Sequence, residues 1–497
     1  ENGFFICLGF AALSWILTSP WFTRKFVGEA TAESLAAIRI ITCITLVLMT
    51  LWMEDLPSSA LLPIEIRHSM GVMDYFYGIP GFDAFTRSQF SLQLFEWLTA
   101  LVLILGTIGF KTRWTVPLGA FFYLILGGIL RQYTWFYHTG LLPVYLLAIL
   151  SFTPCSDALS VDRWLKQRRG EPVVNPEQSS IIYGWSRYAC WVVLGGSYLQ
   201  AGFSKIYYSG FYWWAADNLK SKLLSTTLEP IQTNWDVSLH LVNAPDFIFA
   251  ILGILGLYGE LAYGLVLFSK WARLIMPAAM AGMHVGIIFL QNIVFFDLIL
   301  IQLIFYDYTA IRRWITTKRG WFKFLRSAGG TKTTKPQRAF MHPIVVSVLV
   351  VAMTFIWIKH REYYPLTGLQ MFSGNNTTGI IGYNKLIAHY DSGESTRILP
   401  DTIIYPPMNT RYRLTFRDCH SDQQADQTKC NKLLEALGRV HNQKAAPGSQ
   451  IEMFEVQAWE WNYKENSNDE DYGFIKTSHR LKVLDAQSVS VNRDGSP

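Results

Sequence analysis

Charge is scarce in this 497-residue chain. Asp, Glu, Lys and Arg make up 16% of it, where a soluble protein carries about a quarter. The motifs of metal and nucleotide chemistry are missing too: HExxH, paired CxxC, the Walker loop, GxGxxG and GxSxG do not occur. No metal site is therefore expected. The net charge of +6 is modest and arises mostly in short loops. It informs on topology, and no motif points to a nucleic-acid partner.

What is abundant is apolar and aromatic. Half the residues are apolar, with 24 Tyr, 18 Trp and 32 Phe. Apolar segments lie near residues 3–20, 34–52, 90–110, 114–130, 138–153, 181–204, 246–268, 272–290, 293–306 and 342–358. Many approach the roughly 20 residues that cross a bilayer as a helix. The first, Phe4 to Ile16, lacks the basic flank and the small-x-small site of a signal peptide and reads as a helix. The expected fold is an α-helical integral membrane bundle of nine or ten spans, residues 1–358. A small C-terminal α+β extramembranous domain follows, residues 360–497.

Five basic stretches separate these segments: "TRKF" at 23–26, "KTR" at 111–113, "DRWLKQRRGE" at 162–171, "SKWAR" at 269–273, and the acid-free run 311–338. Placed together on the cytoplasmic side, they let the spans alternate without conflict. Segments 53–89, 131–137 and 205–245 and the tail after residue 359 then face the opposite side. His138 opens one span at that surface and Lys205 closes another.

The tail alternates with period two. "KLIAHYDSGESTRIL" reads as two strands turning at Ser392-Gly393. "DQTKCNKLLEALGRVHNQ" places Cys430, Leu433, Leu434 and Leu437 on one helical face. "IEMFEVQAWEW" is a further strand and "ENSNDEDYG" a loop. Cys419 and Cys430, alone in a domain placed outside, suggest a disulfide, with two reduced thiols as the alternative. Asn375 and Asn376 each begin an N-x-T sequon.

Ionisable groups in apolar segments are costly and are functional candidates. Lys205 is either a snorkelling lysine or a partly desolvated base. His138, in "RQYTWFYHTGLL", suits proton transfer or an interfacial aromatic belt. His284 suits a core hydrogen bond to a neighbouring helix. Glu96 and Glu260 either pair with a buried cation or stay protonated, a transport pathway being the functional alternative. The aromatics Tyr207, Tyr208 and Trp135 form an interfacial girdle or wall a flat ligand such as a quinone.

Three stretches carry a resemblance: "YHTGLLPVYLLAILSFTPCSDALSVDRWL", "GWSRYACWVVLGGSYLQAGFSKIYYSGFYWW" and "MHVGIIFLQNIVFFD". They resemble the horizontally transferred transmembrane domain family, to which vitamin K-dependent γ-glutamyl carboxylase belongs. The likeness covers roughly residues 30–310. It implies a lyase-type enzyme using a reduced quinone, a vitamin K-type hydroquinone, as cofactor. Lys205 would deprotonate the hydroquinone. Its reaction with oxygen yields a strong base that takes a proton from the γ-carbon of a peptide Glu, and His138 assists carboxylation. His284 matches a family histidine to which the resemblance assigns no role; with the aromatics Tyr207, Tyr208 and Trp135 it is the expected lining of a quinone site. The implied partners are membrane lipid, a quinone and a protein or peptide substrate at the extracytoplasmic face. The tail is shorter than the carboxylases' extramembranous part and does not match it. The alternative is a non-catalytic subunit binding a quinone, lipid or pigment within a larger membrane complex.

Overall fold

The computed structural model describes residues 2–68, 70–133, 138–317, 341–360, 362–405 and 410–483. Trp135 and most of the basic run 311–338 lie outside these. The chain is mostly helical with a small C-terminal sheet region. Its principal helices up to residue 358 are α1 (Asn2–Thr18), α2 (Ala32–Leu48), α3 (Gln89–Ile108), α4 (Thr112–Arg131), α5 (Leu141–Leu150), α6 (Ile181–Ser209), α7 (Ala216–Leu228), α8 (Asp246–Tyr263), α9 (Lys270–Gln291), α10 (Phe296–Leu300) and α11 (Met341–Ile358).

Among the described residues, five helices are long and apolar enough to cross a membrane: Ala32–Met53, Gln89–Ile108, Thr112–Arg131, Asp246–Leu267 and Lys270–Gln291. Three more apolar helices are shorter: Leu141–Leu150, Phe296–Phe305 and His342–Ile358. The outer faces of the long ones carry large exposed apolar side chains, including Trp97, Leu101, Ile251, Leu255, Trp271 and Ile275. So much exposed apolar surface requires an apolar surrounding.

Helix α6 is the longest at 29 residues, about 43 Å at 1.5 Å per residue. It starts where the Ser180 side chain accepts from Ile182 N and stops at Gly210, whose φ of 72° suits glycine. It is not among the five because Gly, Ser, Tyr and Trp dilute its aliphatic character. Its surroundings account for that composition. It packs against α5, α8 and α11 at the centre of the bundle, and Gly202 lets α8 approach, since a Cβ there would meet Leu261 at 2.9 Å.

The basic loops gather at one end. Residues 30–31 (β1, Ala30–Thr31) pair with 179–180 (β2, Ser179–Ser180). Asp162 accepts from Lys111 N at 2.7 Å and Thr112 N at 2.8 Å. Arg273 donates to Phe26 O at 2.8 Å. Arg312 pairs with Glu33 at 2.8 Å and Arg313 with Glu177 at 2.7 Å. The "SVD" of residues 160–162 is thus a structural clamp, with Ser160 capping the following helix.

The C-terminal sheet is antiparallel in the order β4 (Ser395–Ile398), β3 (Ile380–Tyr390), β5 (Ile451–Asn462), β6 (Phe474–Lys482). Two helices, α12 (Thr410–Asp418) and α13 (Gln424–Asn442), pack against each other, and Cys419–Cys430 joins them by a disulfide. Cys430, Leu433, Leu434 and Leu437 are fully buried against Phe454 and Val456. This domain caps the end of the bundle opposite the basic loops. Tyr133, Leu62 and Ile66 enter its core, Trp213 donates to Phe372 O at 2.8 Å, and Arg397 donates to Leu228 O at 2.7 Å.

Candidate functional site

Lys205 sits one turn before the end of α6, and its side chain turns inward. The residue is 4% exposed. Its Nζ lies 2.6 Å from Glu260 Oε2 on α8 and 5.3 Å from the centroid of the Trp213 ring. The ammonium does not reach along the outside of the bundle. A buried charge persists only when paired and hydrogen-bonded, and Glu260 is that partner. On α7, Lys222 lies 5.8 Å from the same Trp213 ring. Burial, then the nearby charge of Lys205, hold its ammonium down to about 8.

His284 on α9 is 2% exposed and lies 2.8 Å, through Nε2, from the Tyr198 hydroxyl of α6. The same hydroxyl accepts from Gln302 Nε2 at 2.9 Å. That amide also donates to Leu298 O at 2.9 Å, while its oxygen accepts from Tyr263. The amide is therefore oriented, and the arrangement that uses the Tyr198 proton sends it to His284 Nε2. The histidine proton then belongs on Nδ1, a buried atom with no hydrogen-bond partner among the described residues. An unmade buried hydrogen bond costs about 1–3 kcal/mol, which marks the point as a place for a ligand or water.

His138 is 8% exposed, its ring 6.1 Å from that of Phe295, which in turn lies 5.4 Å from the His284 ring. Phe295 separates the two imidazoles. His138 is within electrostatic reach of Arg131, Lys205 and His284. Beyond it lies a second charged group. Gly140 N donates to Asp297 Oδ2 at 2.7 Å, Tyr123 donates to Glu54 Oε2 at 2.9 Å, and the Arg131 charge reaches both carboxylates. Asp297 Oδ1 is buried without a hydrogen-bond partner among the described residues. The bundle thus encloses a polar centre running from Lys205–Glu260 through His284 and His138 to Arg131, Glu54 and Asp297.

The other candidates lie apart from this centre. Tyr207 and Tyr208 are 62% and 45% exposed and project from the outer side of α6. Their rings meet His360 at 4.5 and 5.6 Å, and Tyr208 donates to Gln370 Oε1 at 3.1 Å. Trp135 falls outside the described residues. Glu96 accepts from Leu56 N at 3.2 Å and Gln93 Nε2 at 2.7 Å, so amides rather than a cation hold it. Among the described residues, no three His, Cys, Asp or Glu side chains could together hold a metal ion.

Glu54, Tyr123, Arg131, Tyr198, Asp297 and Gln302 join the centre without having been singled out in the sequence. Arg131 in "GGILRQY" and Asp297 in "VFFDLIL" meet the criterion that selects Lys205, an ionisable group in an apolar run. Tyr198 and Gln302 carry no such signal. The chain matches no protein-family model, no curated protein and no solved structure. The likeness to the horizontally transferred transmembrane domain family therefore rests on the quoted stretches alone.

Proposed function

We propose that the chain is a polytopic membrane enzyme of nine or ten spans, with its C-terminal domain on the extracytoplasmic side. The reaction proposed is quinol-dependent oxygenation coupled to carboxylation of a peptide Glu. The observation that carries this reading is the enclosed Lys205–Glu260 pair, within electrostatic reach of the two buried histidines.

The pair is neutral overall in either of two forms. With the proton on nitrogen it is an ion pair; with the proton on Glu260, Lys205 is a free amine and a base. The residues present suit a flat ring bearing oxygens. His284 Nδ1–H and Asp297 Oδ1 are an unused buried donor and acceptor, and Phe295 and Trp213 supply aromatic surface. A reduced quinone, with oxygen, supplies the strong base that removes the γ-proton of the peptide Glu. Lys205, as the free amine, would take the quinol's hydroxyl proton and become an ammonium beside the protonated Glu260. His284 orients an oxygen through Nδ1–H, and His138 assists from the other side of Phe295. Supplying a reduced vitamin K analogue, oxygen and labelled bicarbonate should yield epoxide, and Lys205→Ala should abolish it. Epoxide formation undiminished in that variant removes the mechanism.

The second reading is a non-catalytic subunit binding a quinone, lipid or pigment in a larger membrane complex. It is favoured by the exposed aromatic surface of Tyr207 and Tyr208, which with the half-buried Trp357 surrounds His360. Stable partners in mild detergent, without quinol turnover, would select it.

A further inference from the structure

A groove of about 860 Å³ opens where the C-terminal sheet meets α7 and α12. It adjoins the Lys205 centre at Lys222, which shares the Trp213 ring with Lys205, and needs nothing from the reaction proposed there. Among its lining residues are the cations Lys222, Arg413, Arg417 and Lys476, against one acid, Glu460. Glu460 pairs with Lys476 at 2.7 Å, and Arg413 with Glu229 at 3.2 Å. Arg417 is exposed and has no ion pair or side-chain hydrogen bond among the described residues. The groove therefore has a cationic surplus held in place by neighbouring structure.

Two further features point to a ligand. His420 Nδ1 lies 3.0 Å from Thr477 Oγ1, whereas its Nε2 is buried and has no hydrogen-bond partner among the described residues. Asn375, Ser221 and Ser225 add polar groups to the wall, and Tyr383 and Trp459 form a stacked pair 6.2 Å apart on the sheet side. A carboxylate offers two oxygens and about four lone-pair sites. Lys222 donates to Gly374 O, Ser225 to Lys222 O, and Ser221 meets the Tyr463 hydroxyl, so what the groove offers beyond these bonds is chiefly positive charge, more than one carboxylate neutralises. A phosphate, with more oxygens and more charge, matches arginine forks and several donors at once. The volume also exceeds that of a bare anion and falls within the range of about 300–1,000 Å³ typical of organic ligand sites.

We infer that this groove binds a phosphate ester, its phosphate held by Arg417, Lys222 and His420 and its organic part against Trp459. Its source is either a soluble organic phosphate or a phospholipid headgroup rising from the adjacent membrane surface.

The test is titration calorimetry on the full chain in neutral detergent, with glycerol 3-phosphate and dioctanoyl phosphatidic acid as probes and a triglutamate peptide as comparison. Saturable binding of at least one phosphate probe is expected, weakened about tenfold or more by Arg417→Ala, as for loss of a charged hydrogen bond. Lys432→Ala, an exposed cation paired with Glu435 on α13, should leave it unchanged. Binding of both probes identifies a soluble ester as sufficient; binding of the lipid alone identifies the headgroup. The inference is overturned if neither phosphate saturates, if Arg417→Ala binds like wild type, or if triglutamate binds and the phosphates do not. Arg417 is exposed, so its variant should fold, which an unchanged unfolding temperature verifies.

Discussion

Replacing Glu260 by Gln removes the partner of a lysine that has no other ion pair among the described residues. The Lys205–Glu260 contact is 2.6 Å with both residues under a tenth exposed. At an effective dielectric of about 20, the attraction at that distance is about 6 kcal/mol, and much of it offsets the cost of taking both charges out of water. Glu260→Gln leaves that cost uncompensated, so the expected loss is about 3–5 kcal/mol. Lys205→Met combined with Glu260→Leu removes both charges while keeping volume, and should recover most or all of the loss. The assay is unfolding in a fixed detergent at neutral pH, comparing wild type, the single variants Glu260→Gln and Lys205→Met, and the double variant. The predicted order is single variants below the double variant, with the double variant close to wild type. Single variants as stable as wild type would refute the buried pair. A double variant less stable than either single one would refute the charge argument.

Removing the Cys419–Cys430 bond, by Cys→Ser at both positions, should destabilise the C-terminal domain by about 2–3 kcal/mol, from the loop of sequence separation 11 that it closes; hydrogen exchange of α12 and α13 would report it. Glu455 provides a pH test. Burial alone would raise its pKa, but hydrogen bonds from Ser478, Gln457, Arg480 and His389 outweigh this and hold it down to about 2. The stability it lends is present above about pH 4.5 and is lost as pH falls through about 2, so Glu455→Gln should flatten acid unfolding of the sheet across that window. At Gly140, φ is 72° and a Cβ would meet the Tyr123 hydroxyl at 2.6 Å. Gly140→Ala should loosen the Asp297 contact and lower thermal stability, while Gly210→Ala, at a similar φ with open space around it, should cost less.

The tail was legible because it alternates. Strands β3, β4 and β5 and the apolar face of α13 all follow from period-two or helical spacing. Strand β6 escaped because its residues are mostly exposed on this edge of the sheet, so no apolar alternation marks it. In the bundle, apolar runs located the helices, yet among the described residues only five are long and uniformly apolar. The central helix α6 is built from small and aromatic residues because protein surrounds it. Lys205 and Glu260 were each visible as charges in apolar runs, but their pairing depends on α6 crossing α8, which no local pattern encodes. Tyr198 and Gln302 look like ordinary interior residues until the fold brings His284 to the Tyr198 hydroxyl, which Gln302 meets from the turn after α10.

The most direct test of the account is a structure of the full chain determined with a reduced vitamin K analogue. The account predicts flat density within about 4 Å of the Lys205 amine, between the sides marked by Trp213 and Phe295. Density confined to the outer aromatic surface at Tyr207 and Tyr208, with the Lys205–Glu260 pair closed and unvisited, would contradict it.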